Sequence, residues 1–372
     1  MKILVIGGTG PTGPHVLRGL LARGHDVTIL HRGVHEPHDL PEVRHIHADP
    51  HFADQVEAAL GGERFDAVIA MYGRMGMLAE VFAGKCARFI GITGRPILGG
   101  YFDPSSTVPR GMKILAQEAQ DIADLDGFTN EKALQFVVKM QQAVTRVLSF
   151  DARKSYSATV ILYPYVYGPR AIGAFEWSVI KRILDKRDFI AVPNAGLGIS
   201  TRAASINAAE HLLLALDNER SGGHIINCAD EDQYSLAQWI ELIADAMGAK
   251  IDILDLPNTV RWAGAHMLAF AGTVSDHAIT DTRKARTLLG YRDVVPARTA
   301  LAETVRWYLD NPLDPAKEQS FLDPFDYKLE DDLKGALDAL GQSFAARQPD
   351  RKVFHPYPHP KESSLKTDER GR

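Results

Sequence analysis

The sequence predicts a doubly wound parallel α/β sheet with a smaller C-terminal α/β lobe, and three observations predict it. The chain opens on a short apolar run, KILVI at 2–6, that ends directly on glycine. A glycine-rich loop, GGTGPTG at 7–13, leads into a stretch of helical spacing. Beyond it, apolar β-branched runs alternate with helical segments, the pattern of strand–helix–strand units in a parallel sheet.

Each element follows from its own pattern. Residues 2–6 are apolar without interruption, which marks a strand covered on both faces. Val16, Leu17, Leu20 and Leu21 recur at helical spacing and predict a helix over 14–23. Pro14 falls in its first turn, where no helical donor is lost, and Gly24 ends it. VTIL (27–30) and VRHIHAD (43–49) read as strands, 52–60 as a helix, and 66–72 and 87–93 as two more strands. Residues 94–128 are rich in Gly and Pro and read as a long excursion, the kind of loop that carries function. A long helix is expected over 130–149, then a strand at 157–163. Helices at 174–187, 205–217 and 235–247 follow, with a strand at 224–229 and helices near 281–289 and 298–310.

NPLDP at 311–315 reads as a boundary, because prolines and turn formers stop the preceding helix. After it, Leu329, Leu333, Leu337, Leu340 and Phe344 share one helical face and predict a helix at 329–345. From Gln348 the composition turns to Pro, His, Lys and Glu, which predicts a disordered tail or one that wraps onto a neighbour. The expected domains are a dinucleotide-binding core at 1–165, a mainly substrate-binding lobe at 166–312 and an extension at 313–372.

The bulk numbers exclude several classes. The 372 residues carry a net charge of -5 with a pI near 6.3, a balance that speaks against nucleic acid as a partner. Cys86 and Cys228 are two isolated thiols without CxxC spacing, which argues against a disulfide framework or a zinc site and fits a reducing compartment. No apolar run reaches the roughly 18 residues of a membrane span, and the start of the chain does not read as a signal peptide. A soluble cytoplasmic protein is expected. The sequence reading names no metal ligands, no GxSxG elbow and no basic aromatic stripe.

The loop at 7–13 points to a dinucleotide. Gly7 permits the tight turn, Gly10 lets a pyrophosphate approach the backbone, and Gly13 lets the helix pack close to the strand. The phosphates would rest on the helix N-terminus, where free N–H groups and the dipole favour anions. An acid at the end of the second strand would select the ribose of NAD, whereas an arginine nearby accepts the 2′-phosphate of NADP. The chain reads VTILHRG, with His31 and Arg32 and no acid, so NADP(H) is the expected cofactor and NAD(H) the second choice. Asp49 reads either as a contact to the adenine or as a cap of the helix at 52–60.

GGTGPTG, ILYPYVYGPR (161–170) and DTRKARTLLGYRDVVPARTALAETVRWYLDNP (281–312) resemble the extended short-chain dehydrogenase/reductases of the NAD-dependent epimerase/dehydratase type, over about residues 1–312. HRG after the second strand also resembles atypical members related to chloroplast stem-loop-binding proteins. The resemblance implies a Rossmann-type core and a Tyr with a Lys four residues later on one long helix. In that family the Tyr moves a proton and the Lys lowers its pKa and holds the nicotinamide ribose. The matching helix reads ALQFVVKMQQAVTRVL: Lys139 fits the lysine, and Gln135 stands at the tyrosine position. An amide cannot act as a general acid. Thr93 matches the family's Ser/Thr at the end of the fifth strand, or simply ends that strand. Thr12 and Pro164 complete the cofactor contacts that the resemblance implies.

Another residue must then supply the proton. Tyr165 is the first candidate, because the shortened stretch LYPYVYGP re-aims it toward the nicotinamide; Tyr163, Tyr167 and Tyr101 are the others. Arg202 lies near where extended members grip a sugar-nucleotide phosphate, but its neighbours depart from the family, with Asn207 in place of an Asp. Phe175, Trp177 and Trp262 read either as an apolar substrate pocket or as core. Leu134, Val137, Val138, Val144 and Leu148 on the long helix suggest a homodimer face. The expected function is an NADP(H)-dependent reductase or epimerase acting on a carbonyl or hydroxyl of a small molecule, with a non-standard acid. The alternatives are a redox-neutral lyase, isomerase or hydratase, and a non-catalytic regulatory or RNA-associated dinucleotide-binding protein.

Overall fold

The computed structural model describes residues 1–34, 36–37, 39–257, 260, 277–314 and 323–347. The chain divides into two compact units, Met1–Pro324 and Phe325–Arg372. The first opens with β1 (Lys2–Ile6), α1 (Gly13–Ala22), β2 (Asp26–His31), β3 (Arg44–His47), α2 (Ala53–Leu60) and β4 (Ala67–Ala70). It continues through α3 (Met75–Val81), β5 (Arg88–Gly94), α4 (Glu131–Ala152) and β6 (Ser157–Tyr163).

A second set of elements builds the other lobe and returns one strand to the sheet: β7 (Tyr165–Tyr167), α5 (Glu176–Leu184), β8 (Phe189–Pro193), β9 (Arg202–Ala204), α6 (Ser205–Asp217) and β10 (His224–Asn227). Then come α7 (Leu236–Ala246), β11 (Asp252–Leu256), a π-helical turn at Ala285–Leu289 and α8 (Ala297–Asp310). The turn at 285–289 takes the place of the helix expected at 281–289.

Seven parallel strands form the main sheet in the order β10-β6-β5-β4-β1-β2-β3. The order reverses between β1 and β4, and ligands of doubly wound sheets bind at that switch point beyond the strand carboxyl ends. β1 and β4 are buried on both faces, as a covered parallel strand requires. One apolar cluster joins Leu4, Ile6 and Leu30 to Leu78, Phe82 and Val147, and a second joins Ile3, Val5 and Ile29 to Leu17, Leu20 and Leu212. The two clusters lie on opposite sheet faces, because alternate strand residues point to opposite sides.

The elements absent from the sequence reading are α3, β7, β8, β9 and β11, all of seven residues or fewer. Their patterns are too short to show a period. The excursion after β5 holds two short 3₁₀ turns, Arg95–Ile97 and Pro104–Ser106. Asp103 organises it, with its carboxylate accepting from the backbone of Ser105 and Thr129 at 3.1 and 2.7 Å.

Helix α4 turns part of its apolar surface inward. Val137 and Val144 are buried within their own chain and Leu148 packs against its core, while Leu134 and Val138 remain half-buried. Periodicity shows which face is apolar but not what covers it.

The second unit contains α9 (Tyr327–Ala345). The Asp326 carboxylate caps it by accepting from Leu329 N–H at 3.0 Å, and Lys328–Asp332 and Lys334–Asp338 pair along its exposed side. The expected tail from Gln348 lies outside the described residues. Among the described residues, no helix is long and apolar enough to cross a membrane.

Candidate cofactor cleft and active site

The glycine loop has the geometry its sequence requires. Gly13 is locked by proximity: a Cβ there would sit 1.8 Å from the carbonyl oxygen of Gly8. Gly7 has φ +92°, and a Cβ on it would lie 2.7 Å from Cβ of Tyr72. A Cβ on Gly10 would meet nothing within 4 Å, so this glycine faces open space where a ligand can approach the backbone. Thr12 holds the cap position of α1 without a side-chain cap bond; Gly13 N–H donates to Gly10 O at 3.1 Å and Pro14 has no N–H, so the start of α1 offers an anion the helix dipole rather than a row of free donors.

A cleft of about 850 Å³ opens over this loop. Gly7, Gly10 and Thr12 line it, with His31, Arg32 and Tyr72 from the ends of β2 and β4, and Tyr163, Pro164 and Tyr165 from the end of β6 and the start of β7. Arg32 is exposed, with its guanidinium 5.6 Å from the centre of the Tyr72 ring. Asp49 lies outside the lining. Its Oδ1 accepts from the backbone N–H and ring Nδ1 of His51 at 3.0 and 2.7 Å, and these bonds hold its pKa below the usual carboxylate value. The cap of α2 is Phe52, without a side-chain bond, so the capping role considered for Asp49 is not taken up.

The residues expected to do chemistry are only partly gathered here. Thr93 is half-buried near the end of β5. Gln135 and Lys139 are exposed one turn apart on α4, and Gln135 Nε2 donates to Glu131 Oε1 at 3.2 Å. None of the three is among the cleft-lining residues.

The Tyr165 hydroxyl donates to Glu176 Oε2 at 2.9 Å and accepts from Phe175 N–H at 3.2 Å. Burial and the neighbouring Glu176 raise its pKa well above that of a free tyrosine. A hydroxyl bound on both sides, with a raised pKa, is poorly placed to release a proton. Tyr163 donates to Ala208 O at 2.9 Å, Tyr167 donates to Asp230 Oδ2 at 2.7 Å, and the buried Tyr101 ring lies 5.1 Å from the Arg95 guanidinium.

Beside Tyr165 lies a small enclosed space lined by Phe175, Ser200, Arg202 and Trp239. Arg202 is buried, 4.7 Å from the Trp239 ring centre, and donates to Ser200 O at 3.2 Å. Arg95, which sequence reasoning missed, is 1% exposed and reaches Ser200 Oγ at 3.2 Å and Ala278 O at 2.6 Å. Its signal was its place directly after the fifth strand, in GITGRP. Asn207 holds the fold together, donating to Asp230 Oδ1 and Val295 O at 2.8 Å each. Trp177 is core, Phe175 lines the cleft, and Trp262 lies outside the described residues.

Sequence reasoning also named no metal ligands, yet His31, Glu36, His45 and His47 converge at the β2–β3 edge of the cleft. The available signal was the His-x-His of β3, since a period of two puts both rings on one face.

The model of the NAD dependent epimerase/dehydratase family matches residues 3–80, the segment that contains the glycine loop and the switch point. The match covers 78 of the 372 residues, and over that segment the chain is similar to this family. A 3-diazoavenalumate denitrifying reductase from a Streptomyces species is 24% identical over 318 residues, which cover 80% of this chain and 97% of the relative. Among solved structures, a UDP-glucose 4-epimerase from Thermotoga maritima superposes with a TM-score of 0.66 at 16% identity, covering 84% of this chain and 99% of that one. A dTDP-glucose 4,6-dehydratase from Bacillus anthracis, in complex with NAD, gives 0.64 at 12% identity over 84% and 97%. Pal from Bacillus thuringiensis gives 0.63 at 19% over 84% and 100%. At these identities the structures establish a shared fold.

Proposed function

We propose that this protein is an NADP(H)-dependent reductase acting on a carbonyl group of a small molecule, with residues 1–165 holding the cofactor and 166–312 mainly the substrate. The observation that carries the proposal is the cleft over the glycine loop with Arg32, and no acid at position 31, at the end of β2. The residues present fit a dinucleotide: Gly10 is open to the cleft, and the α1 N-terminus carries no side-chain cap. The curated relative that aligns over most of its own length is a reductase, which favours net redox chemistry over an epimerase.

When bound, the reduced nicotinamide supplies the hydride. The chain's residues bind and orient. The open backbone at Gly10 and the dipole of α1 would hold the pyrophosphate, and Arg32 would pair with the 2′-phosphate. Lys139, exposed on α4, would have to turn toward the cleft to meet the nicotinamide ribose, the role that the family resemblance implies. The Gln135 amide, which here donates to Glu131, would have to swing to the substrate carbonyl, where it could donate a hydrogen bond but no proton, and water would complete the protonation. Tyr165 shapes the cleft wall while its proton stays on the bond to Glu176. The buried thiols Cys86 and Cys228 suit a cytoplasmic setting. A homodimer through α4 would use Leu134 and Val138, with the exposed Phe136 beside them; a monomeric mass by light scattering would rule it out.

Calorimetric titration of NADPH against NADH tests the reading, with cofactor oxidation followed over a panel of small aldehydes and ketones. Tighter NADPH and turnover of at least one carbonyl compound are expected. Equal affinities, or tighter NADH, would overturn the cofactor assignment.

A further inference from the structure

We infer that His31, Glu36, His45 and His47 form a binding site for a zinc-class divalent cation at the edge of the cofactor cleft. The parallel pairing of β2 and β3 sets His31 directly opposite His47 and places His45 two residues earlier on the same side. Glu36 comes from the segment after β2. Its Oε1 lies 3.1 Å from His47 Nε2, 3.4 Å from His31 Nε2 and 3.8 Å from His45 Nδ1. His31 Nε2 and His45 Nδ1 are 3.0 Å apart, and all four atoms lie within 4.8 Å of one another. Four ligands bonded at zinc distances stand about 3.3 Å from each other in a tetrahedron, so this set needs little contraction to enclose an ion.

Hydrogen bonding alone accounts poorly for the arrangement. Three imidazoles crowd one carboxylate oxygen, and their rings stand nearly edge to face, at 79°, 84° and 89°. One oxygen cannot serve three rings well, whereas a cation draws on all four lone pairs at once. Three neutral imidazoles and one carboxylate are also the donors that suit zinc and its neighbours rather than calcium or magnesium, which take oxygen. Among the described residues, no lysine or arginine is paired with Glu36, so its charge is available to an ion.

Ligation has one local consequence. Gly33 N–H now donates to His31 Nδ1 at 3.1 Å, which puts the proton of the neutral ring on Nε2. Binding at Nε2 needs that proton on Nδ1, so the Gly33 contact must open. Gly33, with φ +74°, and Glu36 share the short segment that lines the cleft, so the ion would tie this segment to β3.

The test uses the full-length, tag-free protein and Zn²⁺ alone, titrated by calorimetry, with Co²⁺ absorption as a second readout. One ion per chain is expected, with the intense visible bands of tetrahedral cobalt. His45→Ala and His47→Ala should each weaken binding about tenfold or more. Both side chains are partly exposed, at 26% and 60%, so these variants should fold. His51→Ala and His224→Ala, elsewhere on the chain, should bind as the parent does. Absence of saturable binding, or binding unchanged in both His45→Ala and His47→Ala, would overturn the assignment. So would its loss only on replacing His355 and His359 near the chain end.

Discussion

The Tyr165 hydroxyl donates to the buried carboxylate of Glu176 at 2.9 Å, across two elements that meet only in the folded chain. The pair decides what Tyr165 can do. Its hydroxyl spans β7 and α5, and burial with Glu176 beside it raises its pKa. Tyr165→Phe is therefore expected to cost about 1–3 kcal/mol of stability, because Glu176 loses a donor. Turnover should stay within a few-fold of the parent. Denaturant unfolding and kcat measured on the same preparations check this; a loss of 10²-fold or more in kcat at unchanged stability would return the acid role to Tyr165.

Arg32→Ala should reduce NADPH affinity by about 1.5–3 kcal/mol, the range of a charged hydrogen bond, and leave NADH nearly unchanged. Parallel titrations of both cofactors give the answer. An equal loss for both would mean that Arg32 serves the adenine rather than the 2′-phosphate.

Gln135 and Lys139 should separate in their effects. Lys139→Ala is expected to weaken cofactor binding by about 1.5–3 kcal/mol. Gln135→Ala should cost less than about tenfold in kcat, against roughly 10²–10⁴ for a lost general acid. Steady-state kinetics of the two variants distinguish these outcomes, and abolished turnover in Gln135→Ala would make its amide the main polarising group.

Arg182 and Asp323 form a buried bidentate pair, at 2.6 and 3.1 Å, with side chains 2% and 0% exposed. Asp323→Ala removes the carboxylate from a buried guanidinium that keeps only neutral acceptors such as Ser178 O at 2.9 Å, and should destabilise the protein by about 3–5 kcal/mol. Replacing both residues with apolar ones of similar size should cost much less. Chemical denaturation of the single and double variants measures the difference.

Stability should fall with acid because of His211. Burial lowers its pKa from 6.5 to about 4, with its ring 3.7 Å from that of Tyr291. The unfolded chain takes up the proton first, so the stabilisation is whole above pH 6.5 and is lost as pH falls toward 4. Its size is roughly 3 kcal/mol. His15, also lowered to about 4, acts in the same direction. A flatter acid limb in the pH dependence of unfolding of His211→Gln is the expected result.

Much of this protein is legible from its sequence because much of it is local. The run at 2–6, the three glycines and the helical spacing after them determine β1, the turn and α1 within a residue or two, since strand and helix periods are properties of a few neighbouring residues. The same locality placed Arg32 at the end of β2 and Gln135 and Lys139 one turn apart on α4. What tertiary structure alone decided joins residues far apart in the chain. Glu176 engages Tyr165, Asp323 answers Arg182 across 141 positions, and Arg95 reaches Ser200 across 105. Val137 and Val144 turned inward because the sheet lay beneath them, a fact no helical period contains. The histidine cluster is the clearest case: the alternation along β3 is written in the sequence, but its meeting with His31 depends on the register of β2 with β3. The burial of both faces of β2 against the rest of the fold sets that register.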